Sequence, residues 1–183
     1  KKRVFAPTYF DATVSMMDSI EKEATEYNDK HKPEKLIKFV KSGNELIDVL
    51  AAEDIAMIHS VEGAHSLHGE ACGKRIEDCL SGPIEIEEEI LQNLETLAAR
   101  GIAYLTLAHF YPNQLAHPVF PYPTYGIKKS NWKKLMAGWD MNKGLTAIGA
   151  KVVRRMMDLG VLIDIAHCTP QARREIYEIV GDK

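Results

Sequence analysis

Three residues in this chain stand where metal chemistry could be done: Glu62, His109 and His167. Each follows directly on a short apolar run. Met57-Ile58-His59-Ser60-Val61 leads to Glu62, Ala103-Tyr104-Leu105-Thr106-Leu107-Ala108 leads to His109, and Leu162-Ile163-Asp164-Ile165-Ala166 leads to His167. One carboxylate and two imidazoles suit a borderline ion such as zinc. A carboxylate can also bridge two ions, and such a pair can hold the hydroxide that attacks an amide. A single histidine at a strand end is more often a cap facing solvent. Three chemistry-bearing groups on one rim weigh against that reading.

These groups need elements to hold them. The apolar runs read as strands over Arg3–Ala6, Leu36–Lys41, Ile55–Val61, Ile102–Ala108 and Val161–Ala166. Helical spacing of apolar residues predicts helices over Thr13–Asn28, Glu45–Ala52, Ile84–Arg100, Thr146–Leu159 and from Pro170 to about Val180. Strands alternating with helices imply an α/β fold with a parallel sheet, whose active site lies at the C-terminal strand ends. Alternation along each strand groups Ile58 and Ser60 with Glu62, Leu105 and Leu107 with His109, and Ile163 and Ile165 with His167. In a barrel these would be the inward faces. A long segment from Phe110 to Gly144, rich in Pro, Tyr and Trp, reads as a functional loop. Its Tyr111, Tyr122, Tyr125, Trp132 and Trp139 are candidates to shape a pocket. His59 reads as a packed histidine, His65 and His68 as groups that support a metal ligand or contact substrate or, more often in such a loop, as solvated histidines, His31 and His117 as surface residues, and Asp164 as a structural carboxylate.

Composition narrows the class. With 183 residues, 45% of them hydrophobic, the chain is one domain's worth of globular protein. A net charge of -3 argues against a nucleic-acid binder. No apolar run is long enough for a membrane span. The three cysteines, Cys72, Cys79 and Cys168, form no C-x-x-C pair, and reduced thiols fit a cytoplasmic setting, although Cys72 and Cys79 could pair in an oxidising compartment. No Gly-rich phosphate loop follows any strand.

Four segments together resemble the membrane dipeptidase (renal dipeptidase) family, the M19 metallopeptidases. They are Ser60-Val61-Glu62-Gly63-Ala64-His65-Ser66-Leu67; Gly101 to His109, followed by Asn113; Gly144-Leu145-Thr146-Ala147-Ile148-Gly149-Ala150-Lys151-Val152-Val153; and Leu159 to His167. The resemblance implies a (β/α)8 TIM barrel of the metal-dependent hydrolase type, present here as a partial barrel. It further implies two zinc ions and a metal-activated water that attacks a dipeptide amide bond. By the same resemblance Glu62 bridges the metals, His167 is a metal ligand, and His109 contacts the substrate and stabilises the tetrahedral intermediate, with Asn113 beside it on the substrate side. The family's His-x-Asp pair is missing: Pro7-Thr8-Tyr9-Phe10-Asp11 carries no histidine. Its later metal histidine, substrate arginine and acid/base aspartate have no counterpart after His167.

Residues 1–183 are therefore expected to be a single domain, a fragment of a larger barrel running from the second strand to about the fifth or sixth βα unit. The exposed sheet edges of such a fragment favour self-association. The alternative is a non-catalytic, degenerate barrel protein with an incomplete metal site. The isolated chain is expected to bind zinc weakly and to leave dipeptides uncleaved. Micromolar zinc affinity together with dipeptide turnover, measured by titration and amine release, would refute this.

Overall fold

The computed structural model describes residues 8–68, 84–110, 113–119 and 140–182, without the side chains of residues 84 and 85. The expected strand Arg3–Ala6 and the five loop aromatics lie outside them. Among the described residues five α-helices and four strands alternate in the order α1 (Tyr9–His31), β1 (Ile37–Phe39), α2 (Gly43–Ala51), β2 (Ile55–Met57), α3 (Ile84–Ala99), β3 (Tyr104–Thr106), α4 (Ala147–Leu159), β4 (Leu162–Asp164) and α5 (Pro170–Gly181). A short 3₁₀ turn, Ala64–Leu67, follows Glu62.

Local chemistry sets the helix ends. The Thr8 hydroxyl accepts from the Asp11 amide at 2.9 Å and donates to the Asp11 carboxylate at 2.6 Å. That cap starts α1 four residues before the expected Thr13. Ser42, Thr146 and Thr169 cap α2, α4 and α5 in the same way. Pro170 occupies the first turn of α5, where its missing N–H costs nothing. Gly160 ends α4 in the left-handed region, at φ 71°.

The strands are parallel, as alternation with helices requires, but each is only three residues long. β1 pairs with β2, and β3 with β4, as two separate two-stranded sheets. A single bridge, Val61 to Leu105, links the chain beyond β2 to β3. The closed (β/α)8 barrel expected from the resemblance, whole or partial, is therefore corrected. Barrel closure needs tilted strands paired on both sides all the way round. Among the described residues β1 and β4 each pair on one side only, and no sheet curls closed.

The core forms where helices α3, α4 and α5 cover one face of β3 and β4. Leu94, Leu97, Leu105, Leu107, Val152, Val153 and Met156 are wholly buried there. Each such side chain contributes about 1.5–3 kcal/mol on burial. The expected inward face of Leu105 and Leu107 is thus the helix-covered face. On the opposite face Ile58, Tyr104 and Leu162 stay 48%, 39% and 68% exposed.

The stretch 113–119 is mostly buried rather than a free loop. His117, expected at the surface, is only 6% exposed, and its Nδ1 lies 3.1 Å from the Gly144 carbonyl. Ala116 and Pro118 bridge to Leu145 and Cys168. At Gly149 an added Cβ would lie 2.0 Å from the Leu115 carbonyl oxygen, so this helix–segment contact needs glycine.

Burial pushes His117 below the ordinary imidazole value of 6.5, and the bond to Gly144 opposes that only in part. The unfolded chain then takes up a proton near pH 6.5 that the folded chain refuses. This stability is full above pH 6.5 and declines as pH falls below it. His117→Asn should flatten the loss measured by urea unfolding between pH 7 and 5, by up to about 1.4 kcal/mol per pH unit.

Candidate metal centre

Glu62, His109 and His167 each sit just past a strand, and their ligand atoms all lie within 4.8 Å of one another. Glu62 Oε1 is 3.3 Å from His109 Nε2 and 3.6 Å from His167 Nε2. A tetrahedral zinc with bonds of about 2.0–2.1 Å holds its ligand atoms about 3.3–3.4 Å apart. The donor types and the two spacings to Glu62 therefore fit such an ion.

Strand alternation alone does not bring these groups together. The register sets Val61 beside Leu105 and Leu105 beside Ile163. Glu62 then shares the next row with Thr106 and Asp164, across the sheet from the Leu105 row. Convergence comes from bends after the strands. Gly63 turns the chain at φ 99°, and His167 itself sits in the left-handed region at φ 62°. Histidine tolerates that region better than β-branched residues do, and such strain is found at functional positions.

Several bonds hold the bend at His167. Thr106 Oγ1 donates to Asp164 Oδ2 at 2.6 Å, and Asp164 Oδ1 accepts from the Ala166 amide at 2.9 Å. Asp164 is thus the structural carboxylate expected. The Val119 amide donates to the His167 carbonyl at 2.7 Å. Behind His167, Cys168 is a buried thiol, and burial raises its pKa to about 11.

Asn113, expected on the substrate side, is 1% exposed. Its amide donates to the Leu107 carbonyl at 2.9 Å, and its oxygen accepts from the Leu115 and Ala116 amides at 2.9 and 3.3 Å. It fastens the chain that leaves His109.

Around the three donors lies a set of rings. His109 and His167 meet edge to face, with centroids 4.9 Å apart. Phe110 packs against both, at 5.0 and 4.6 Å. His65, weighted toward solvent by its sequence context, lies half-buried at 5.7 Å from His109. Burial first, and the neighbouring His109 second, push its pKa down to about 4, against the pull of Glu62. The sequence signal for His65 was its place two residues after Gly63. Of the two expectations for it, a site-side group or a solvated loop histidine, the structure favours the first, because the segment folds as a 3₁₀ turn against His109. His68 instead reaches Glu89 on α3, at 3.4 Å. His59 is packed as expected, stacked on Phe39 and 2.9 Å from Glu21.

The model of the membrane dipeptidase family, peptidase family M19, matches residues 80–180, more than half of the chain. The chain therefore belongs to that family. His109, Asn113 and His167 lie inside the match and Glu62 lies before it. Three crystal structures share its fold. The probable dipeptidase PvdM from Pseudomonas aeruginosa aligns over 93% of this chain and 34% of its own, with a TM-score of 0.59 and 18% identity. An amidohydrolase from Pseudomonas aeruginosa aligns over 94% and 40%, with a TM-score of 0.61 and 15% identity. A metallo peptidase from Rhodobacter sphaeroides, liganded with a phosphinate mimic of the dipeptide L-Ala-D-Ala, aligns over 78% and 32%, with a TM-score of 0.51 and 16% identity. The chain thus spans between about a third and two fifths of the length of these relatives. No helix among the described residues is long and apolar enough to cross a membrane.

Gly63→Ala tests how tightly the bend is built. The new Cβ would meet the His65 ring at 2.5 Å and His109 Cβ at 3.0 Å, on a backbone at φ 99°. Chemical denaturation should show a loss of about 1–3 kcal/mol.

Proposed function

We propose that this chain carries part of the active centre of a zinc-dependent dipeptidase, a hydrolase that cleaves the amide bond of a dipeptide. The observation that carries the reading is the approach of two imidazole nitrogens to one carboxylate oxygen, at 3.3 and 3.6 Å. Membership of the M19 family supports it. The phosphinate dipeptide mimic bound by the Rhodobacter sphaeroides relative points to the substrate class.

In this reading Glu62 and His167 hold zinc. The carboxylate of Glu62, 68% exposed, has a second oxygen to offer a second ion. Zinc, when bound, supplies Lewis acidity and lowers the pKa of water. The chain's own residues do the rest. His109 presents Nε2 beside the metal ligands, where it can donate to the oxygen that gains negative charge as the amide is attacked. Phe110 walls the site, and apolar surroundings strengthen such a hydrogen bond. Asn113 serves the substrate side by anchoring the backbone that follows His109. The remaining ligands and substrate groups of a working centre come from outside these residues.

The buried free thiol of Cys168 fits a cytoplasmic setting, where thiols persist. The exposed apolar side chains Ile58, Tyr104 and Leu162 support self-association.

Zinc titration of the isolated chain tests the reading. Glu62→Gln and His167→Ala should each weaken binding about tenfold or more, the loss that supporting partners alone can cause. Equal zinc affinity in the wild type and the Glu62→Gln/His167→Ala double variant would overturn it.

A further inference from the structure

The catalytic reading of His109 leaves open what fixes its ring. A side chain on a bend after a strand has no ladder to hold it, and a site group must be held to within about 0.5 Å and 10–20° to act. One side of His109 is settled by His167 and Phe110. His65 also packs near it, with its ring tilted 36° to that of His109 at 5.7 Å. His65 is in turn met edge-on by Tyr9, the first residue of α1, at 5.5 Å and 89°. Gly63 makes this approach possible, since the His65 ring stands where a Cβ on residue 63 would be.

We propose that His65 and Tyr9 are positioning residues for His109: a ring-on-ring buttress through which helix α1 sets the orientation of the group that faces the substrate. The inference rests on the reading of His109 as the substrate-side group, and the metal plays no part in the buttress itself. α1 is well placed for this work. Its first turn is locked by the Thr8–Asp11 cap, so the Tyr9 backbone is fixed independently of the site. Further along, Glu21 and Asp18 accept hydrogen bonds from Arg100, which follows α3. Glu21 also contacts His59. Shape and packing, rather than the imidazole nitrogens, are what a buttress needs. Phenylalanine should therefore replace His65, and alanine should not.

The test uses the metal-free 183-residue chain with ¹³C-labelled histidine, read by the ring-to-ring nuclear Overhauser contact between His109 and His167. The wild type and His65→Phe should show this contact. His65→Ala should lose it, with the His59 signals unchanged as a control for folding. Tyr9→Ala should weaken it, and Tyr9→Phe should restore it. Retention of the contact in His65→Ala overturns the proposal, and so does its loss in His65→Phe. Should His65→Ala fail to fold, the two Tyr9 variants decide in the same way. Zinc is then added to the wild type. Signals of His109 and His167 that ignore zinc would sink the metal reading without touching the buttress. A zinc response together with an unchanged contact in His65→Ala and Tyr9→Ala would sink the buttress alone.

Discussion

β3 is the element on which the rest of this molecule depends. It is the one described strand with partners on both sides: the Val61 amide donates to the Tyr104 carbonyl on one edge, and β4 runs along the other. Its apolar face, Leu105 and then Leu107, is wholly buried beneath the helices. A backbone saturated with hydrogen bonds and a face with no exposure leave β3 no room to shift register. A slip of one residue would take Leu105 out of the helix-covered core and put Thr106, whose hydroxyl bonds Asp164 on the other face, in its place. Glu62, His109 and His167 are all placed relative to this strand, and so inherit its rigidity.

The site departs from regularity where the strands stop. Gly63 and His167 take left-handed backbone conformations; Asp164 bonds the Ala166 amide just before His167, and Asn113 bonds the Leu115 and Ala116 amides in the segment that follows His109. Regular structure brings the three donors to one rim. Irregular structure, fixed by side chain to backbone bonds, turns them toward each other. Function here lives on the second kind of constraint, which has a cost in strain and so needs the first to hold it.

Periodicity carried much of this in advance. Among the described residues, helices and strands fell where apolar spacing put them, because amphipathic stripes and short apolar runs are local signals. The three donors were legible because each ends an apolar run. Other features depended on distant partners. The helix-covered face of Leu105 was misassigned, since which face a sheet buries is decided by what packs on it, not by alternation. The barrel expectation came from the family's architecture, whereas strand pairing in this chain stops at two short ladders. His117 looked like a loop residue until Gly144 and the start of α5 closed over it. His65 was weighted toward solvent because a 3₁₀ turn leaves little trace in sequence.

The connectivity of the two ladders has a consequence for the order of assembly. Leu36 and Asp54, which bond beside the β1–β2 ladder, are only 18 residues apart, whereas Thr106 and Asp164, which bond across β3 and β4, are 58 apart. Loop closure costs grow with separation, and distant pairings slow a chain's folding. The α1–β2 portion and the α4–β4–α5 portion can each form from near neighbours. The β3–β4 ladder instead needs the ends of the longer excursion to meet. The candidate metal centre spans that longer-range junction, with Glu62 on one side of it and His167 on the other, so uniting its donors carries the larger loop-closure cost.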